Sequence, residues 1–434
     1  MRESTPAAVK RKVPVKKAFW VDVKKCKDAS RKRSGLLLIY VKSGEKMNKQ
    51  VYLDNAATTQ ISEEVKAAME PYLKENYGNA STGYKLGAEA KHAIEEAREI
   101  IAGTLHAKPS EIYFTSGGSE SDNWAVKNTA AACRKKGKHI ITTKIEHHAI
   151  LNSCEYLEKL GYDVTYLPVD ENGVVSVEEL ERAIRPDTTL ISVMFANNEV
   201  GTIEPVCKIG RVAREHQILF HTDAVQAYAQ IPISVNYYPV DLLSASAHKF
   251  HGPKGVGFLY IRDGIDIPSF IHGGGQERGK RAGTENVPGI VGMGKAAEIA
   301  YQTMRKRVQK EIMLRNYLIE RIKHEIPDAR LNGHRSIRLP GNVNMSFSGV
   351  EGAALLVLLE EDGICASGGS ACNTGEERIS YVIKELGVPK DYAPGTVRMT
   401  LCGDTTKDEA DQAIESLKKN VAILRGTEGT VFIN

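Results

Sequence analysis

The chain has 434 residues, 42% of them apolar and 26% charged, a balance that excludes a disordered or fibrous protein and predicts two or three packed domains. Its net charge of +4 is unevenly spread: residues 1–49 hold fifteen Lys/Arg against four Asp/Glu, leaving 43 basic against 50 acidic residues in the remainder. A body with an acidic excess gives no argument for a nucleic-acid partner, and the apolar run Gly35-Leu-Leu-Leu-Ile-Tyr-Val41 is too short to span a membrane.

Seven cysteines are scattered along the chain with no C-x-x-C pair. They suggest neither a disulfide framework nor a zinc site, and no metal is expected. A reducing compartment fits best, most simply the cytoplasm.

The basic leader, residues 1–49, has its apolar patch far from the start, no small-residue cleavage site after it, and Asp22 and Asp28 interrupting it. Three readings stand: a disordered basic extension, an organellar presequence, or upstream translation with Met47 as the natural start. The first and third are favoured, because Met47 leads straight into the first strand.

From Val51 strands and helices alternate. A short strand Val51-Tyr-Leu-Asp54 is followed by a helix capped by Ser62 and running to about Glu75, and an amphipathic helix is expected over residues 83–105. Further strands are expected at Glu111–Thr115, His139–Thr142, Asp163–Leu167, Thr189–Val193, Ile218–Thr222, Leu242–Ala245 and Val256–Tyr260, with helices between most of them. Continuously apolar strands separated by helices predict an α/β fold with a mainly parallel sheet covered by helices on both faces. One long helix, or two, is expected over residues 285–325. From Asn342 a smaller α+β unit follows. The expected division is a large α/β domain over residues 50–300 and a small α+β domain over residues 301–434.

The unusual polar residues fall at strand exits, where open α/β sheets collect ligands. Ser116-Gly-Gly-Ser119 lies between a strand and a helix start, suited either to a phosphate or to a plain capped turn. His147 follows the second of these strands and could stack on a flat ring and move protons. Asn197-Asn198-Glu199 follows Ser192-Val-Met-Phe-Ala196. Asp223 could pair with a protonated pyridine nitrogen, and Gln226 faces the same way. Lys249 is enclosed by Ser246 and His248 on one side and by Gly252, Gly255 and Gly257 on the other. Small neighbours leave room for a planar group, and a partly desolvated lysine gives up its proton more readily and attacks carbonyls better. Lys249 therefore reads as a Schiff-base lysine for pyridoxal 5'-phosphate (PLP), against a surface lysine in a Gly-Pro turn.

A second constellation is Ala366-Ser-Gly-Gly-Ser-Ala-Cys372-Asn-Thr-Gly-Glu376. Cys372 in a run of small residues should be mobile and exposed, able to swing towards a cofactor and away. Cys365 and Cys402 sit in strand-like contexts and read as core residues. Arg398, on a strand, could grip a carboxylate bidentately or form an ordinary ion pair.

The motifs Tyr52-Leu-Asp-Asn-Ala-Ala-Thr58, Thr115-Ser-Gly-Gly-Ser-Glu-Ser-Asp-Asn123, Glu146-His147, Asn197-Asn-Glu-Val-Gly-Thr202, His221-Thr-Asp-Ala-Val-Gln226, Ser246-Ala-His-Lys-Phe-His-Gly-Pro-Lys-Gly255, Gly273–Thr284 and Gly369-Ser-Ala-Cys372 together resemble the PLP-dependent cysteine desulfurases of the NifS/IscS type. These belong to the fold-type I class, and the resemblance covers nearly all of residues 51–424. It implies that Lys249 forms the Schiff base, Asp223 pairs with the pyridine nitrogen, Gln226 contacts the ring oxygen and His147 stacks on the ring. It further implies that Gly118, Ser119, Ser246 and His248 hold the phosphate, with Thr284 supplied by the second subunit of a homodimer. Asn198 and Arg398 would bind the carboxylate of L-cysteine. The Cys372 thiolate would attack the substrate sulfur, leaving a persulfide on Cys372 and releasing alanine. The sulfur would pass to an acceptor protein, such as an iron–sulfur scaffold or a thiolation protein.

The sequence departs from the family's pattern in three places. Ser119 stands where Thr is usual, Asn79-Ala-Ser-Thr…Tyr84 replaces Asn-Pro-Ser-Ser…His, and Asn-Thr-Gly-Glu-Glu-Arg follows Cys372. The last leaves the sulfur acceptor open. Two alternatives stand beside the desulfurase: another PLP enzyme that does not use Cys372, such as a selenocysteine lyase or an aminotransferase, and a non-catalytic scaffold subunit.

Overall fold

The computed structural model describes residues 18–23, 35–40, 50–369 and 379–426. Seven strands form the central sheet: β1 (Ile112–Thr115), β2 (His139–Thr143), β3 (Asp163–Leu167), β4 (Thr188–Ser192), β5 (Leu219–Asp223), β6 (Leu242–Ser246) and β7 (Gly257–Ile261). Their spatial order is β1-β7-β6-β5-β4-β2-β3. Only β7 runs against its neighbours, pairing antiparallel with both β1 and β6, while the other pairs are parallel. Six strands therefore point their carboxyl ends to one edge, as the α/β reading expects. Strands β2, β4, β5, β6 and β7 are almost wholly buried, which is why their sequences are continuously apolar or small.

Leu105, Ile141, Ile191, Phe220, Ala245 and Phe258 contribute to one large apolar core with the helix Lys85–Leu105. A second core joins the three-stranded sheet Ala329–Leu331, Asn342–Phe347 and Thr396–Thr400 to the helices Gly352–Glu361 and Lys407–Leu424. A reciprocal pair of bonds starts the last helix: Glu409 N–H donates to Thr406 Oγ1 at 3.2 Å, and Thr406 N–H donates to Glu409 Oε2 at 2.9 Å.

The region read as one long helix or two is a single helix, Val287–Glu325. Its first half packs Ile290, Met293 and Ala297 into the large core, and its second half packs Leu314, Leu318 and Ile322 into the smaller one. The helix capped by Ser62 is shorter than expected, Glu63–Met69, because Pro71 starts a separate turn. In the leader, Ala18–Val23 and Gly35–Tyr40 pair antiparallel, from Ala18 opposite Tyr40 to Val23 opposite Gly35. Their sequences, Ala-Phe-Trp-Val-Asp-Val and Gly-Leu-Leu-Leu-Ile-Tyr, carry aromatic and branched residues that favour pairing.

Cys365 and Cys402 are both half-buried rather than core residues. Cys365 ends the two-residue strand Ile364–Cys365 and accepts from Gln50 Nε2 at 2.9 Å, while Cys402 falls in the turn beyond Thr396–Thr400. Among the described residues no helix is long and apolar enough to cross a membrane, and no cluster of His, Cys, Asp and Glu could hold a metal ion.

Candidate active site

Just beyond the carboxyl edge of the sheet lies a cavity of about 300 Å³, lined by Gly118, Ser119, His147, Asn198, Asp223, Gln226, Ser246, His248, Lys249 and Arg398, together with Ala56, Ala57, Asp122, Met194, Ala196 and Val225. Ten of the residues singled out from sequence converge there. Thr284 does not; it is exposed and lines a separate small cavity with Ser116, Gly255 and Arg281. Cys372 lies outside the described residues.

Each wall follows from local structure. Asp223 closes β5 and is buried, its Oδ1 accepting Val225 N–H at 2.9 Å. Burial pushes its carboxyl above the usual range, opposed by His147 and Lys249. A group bearing positive charge against it would return it to the ionised form. His147 caps the helix His148–Lys159 by accepting Ala149 N–H on Nδ1 at 3.2 Å. In the neutral ring the proton is therefore on Nε2, and burial favours that neutral ring by lowering its pKa.

Lys249 ends a single 3₁₀ turn after β6. Its Nζ donates to Ala56 O at 2.6 Å and to Ala57 O at 2.9 Å. Gln226 Nε2 donates to that same Ala56 carbonyl at 2.9 Å. His248 Nδ1 lies 3.2 Å from Thr58 Oγ1, and burial followed by the nearby Lys249 pushes its pKa down to about 4. Residues 56–59 thus fold over the lysine turn. Ala56 N–H in turn donates to Thr400 Oγ1 at 2.7 Å, tying this strap to the small sheet.

Arg398 donates to Asn198 O and to Asp54 Oδ1, each at 2.9 Å, with the guanidinium almost fully buried. Asp54 sits inside a motif quoted above but was not singled out; its partner lies 344 residues away, beyond the reach of local pattern. Asp122 was missed likewise. It is 1% exposed, and burial followed by Asp223 raises its carboxyl well above the usual range.

The helical run starting at Gly118 opens on the cavity, and a Cβ built on Gly118 would meet Val225 Cγ2 at 2.5 Å. Glycine is required there by space. Asn198 Oδ1, Asp122 Oδ1 and Arg398 Nε are buried without a hydrogen-bond partner among the described residues. Such atoms are costly to leave unpaired, so a polar ligand would stabilise them. A lysine amine, a carboxylate, an imidazole, and a glycine-serine helix start around one cavity fit PLP: Lys249 to carry it, Asp223 for the ring nitrogen, and Gly118, Ser119, Ser246 and His248 for the phosphate.

The aminotransferase class-V family profile matches residues 51–413, and the chain belongs to that family of PLP-dependent enzymes. More particularly, it is 53% identical over 378 residues to a "Cysteine desulfurase IscS" of Methanosarcina thermophila, covering 87% of this chain and 93% of that one. It is 52% identical over 379 residues to the protein of the same name from Dictyoglomus turgidum, covering 87% and 96%. A solved structure titled "NIFS-LIKE PROTEIN" superposes with a TM-score of 0.82 at 41% identity, over 86% of this chain and all of that one. A structure titled "SspA in complex with cysteine" superposes with a TM-score of 0.72 at 38% identity, over 82% and 100%.

Proposed function

We infer that this chain is a PLP-dependent cysteine desulfurase, converting L-cysteine to L-alanine with transfer of the sulfur to Cys372. The observation that carries this reading is the convergence of Lys249, Asp223, His147 and the Asn198–Arg398 pair on one cavity, in a chain more than half identical to relatives named for that activity.

When bound, PLP supplies an electron sink for bonds at the substrate's α and β carbons. The protein's own residues do the rest. Lys249 Nζ would carry the cofactor and then move protons at the substrate carbons. Asp223, buried, would pair with the ring nitrogen and keep it protonated. His147, held neutral with its proton on Nε2, would lie against the ring. Arg398, oriented by Asp54, and Asn198 take the substrate carboxylate. The Cys372 thiolate attacks the substrate sulfur: an S–S bond forms, the carbon–sulfur bond breaks, and its electron pair stays on carbon, which takes a proton to give alanine. The substrate carbon is reduced as the sulfur is oxidised to the persulfide level, so no outside oxidant is needed.

The same reading assigns residues 50–300 to cofactor binding and 301–434 to the small domain carrying Cys372. It makes the enzyme a homodimer with Thr284 of each chain completing the partner's phosphate site, placed in the cytoplasm, and delivering sulfur to an iron–sulfur scaffold or thiolation protein. The test is purified protein given L-cysteine and a thiol reductant: alanine and sulfide should appear in equal amounts, with a visible absorption band. Alanine without sulfide, or pyruvate instead of alanine, would sink it.

A further inference from the structure

Glu199 follows Asn198 directly, yet it faces away from the cavity described above and is 0% exposed. Its Oε2 accepts from Ser380 Oγ at 2.6 Å, and its Oε1 has no partner among the described residues. Burying a carboxyl is costly, and an apolar side chain would avoid the cost. Its backbone is fixed as well: Asn197 Oδ1 accepts its N–H at 2.9 Å, and Asn342 and Asn344 donate to its carbonyl at 3.1 and 3.0 Å.

The second residue against that carboxyl is Gly369, whose φ of +122° belongs to glycine. A Cβ built there would come within 2.6 Å of Glu199 Oε2. In the sequence Cys372 lies between Gly369 and Ser380, so one carboxyl oxygen accepts from the residue on one side of it and would be met by any side chain on the other. The flanks are held to the substrate pair and to His147's neighbour as well. Ser367 and Arg398 exchange backbone bonds of 3.0 and 2.6 Å, and Tyr381 Oη donates to Glu146 O at 2.5 Å.

We propose that Glu199 is a positioning residue for sulfur transfer: it bonds Ser380 and leaves room only for glycine at 369, so that it sets both described flanks of the Cys372 segment beside the Asn198–Arg398 pair. This rests on the desulfurase reading above. The role requires a hydroxyl at 380 and a glycine at 369, and it is separate from cofactor binding, because neither Ser380 nor Gly369 lines the cavity.

The experiment compares PLP-loaded wild type with Ser380→Ala, Ser380→Thr and Gly369→Ala. It reads the cofactor absorption band, its change on adding L-cysteine, the single-turnover rate of persulfide formation on Cys372 by mass spectrometry, and the rate of Cys372 alkylation. Ser380→Ala and Gly369→Ala are expected to keep the band and the cysteine-induced change at wild-type cysteine concentrations. Persulfide formation should slow about tenfold, as for loss of a buried hydrogen bond, and the alkylation rate should change with it. Ser380→Thr should restore both rates. Unchanged persulfide rates in both variants, or parallel loss of the band and the rate, would overturn the proposal. If wild type itself forms no persulfide on Cys372, the desulfurase reading fails instead.

Discussion

Lys249 Nζ donates at 2.6 Å to the backbone carbonyl of Ala56, in a strap 193 residues earlier in the chain. Ala57 O, at 2.9 Å, is a second acceptor for the same amine. On the proposed reading, loading PLP would exchange these bonds for a covalent one. Lys249→Ala should therefore fold normally but show no absorption band from covalently held cofactor and lose activity at least a thousandfold. A band of wild-type intensity in that variant, read by visible spectroscopy after desalting, would place the cofactor on another residue.

Arg398 is paired with Asp54, and on the proposed reading the two would share the work of holding the substrate carboxylate. Arg398→Ala removes charge-assisted bonds, and the KM for L-cysteine should rise about ten- to a hundredfold. Asp54→Asn should raise KM less, by roughly tenfold, since the guanidinium stays but loses its orienting partner. Both should keep the cofactor band. Steady-state kinetics check this, and a fall in kcat with unchanged KM in both would contradict it.

Gly118 offers a steric test. Gly118→Ala drives a Cβ into Val225 Cγ2, which a built Cβ would meet at 2.5 Å. Overpacking of this kind costs about 1–3 kcal/mol, at the end of the site proposed for the phosphate. Cofactor affinity should fall at least tenfold, measured by equilibrium dialysis, and Gly118→Ala/Val225→Ala should recover much of it. No recovery would mean that the close approach to Val225 is not the reason for glycine.

Much of the site was legible because its chemistry is local. A lysine among glycines and serines, a carboxylate closing an apolar strand, and a Gly-Gly-Ser turn before a helix are each visible in a few residues. Their convergence follows once the strands are known to be parallel. What was not legible depends on partners far apart in sequence. Asp54 meets Arg398 344 residues away, and Glu199 meets Ser380 181 residues away. Neither has a periodic or turn signal, so only the fold brings them together. Cys402 misled for a related reason: it follows an apolar strand, but the turn that begins there leaves it half-buried.

His221 gives a pH test. It is buried on β5, with Nδ1 2.9 Å from Ser192 Oγ and Nε2 3.0 Å from Ser244 Oγ, and with Asp122 Oδ1 at 3.7 Å. Burial pushes its pKa down to about 3. Unfolding restores the ordinary value of about 6.5, so between these values the unfolded chain binds more protons. Stability is then fully present above pH 6.5 and lost as the pH falls towards 3, by up to about 1.4 kcal/mol per pH unit. His221→Asn should be less stable at neutral pH but show a shallower decline on acidification. Denaturant melts from pH 7 to 4.5 check the slopes, and parallel slopes would mean that His221 is not held neutral.

The central claim is that this PLP enzyme passes sulfur through Cys372. It is tested most directly by alanine and sulfide release from L-cysteine in wild type and Cys372→Ala, with cofactor content measured on both. The account expects the variant to keep its full cofactor band while release falls at least a hundredfold. A variant that keeps both its cofactor and wild-type release would contradict it, leaving a PLP enzyme whose chemistry ends at Lys249.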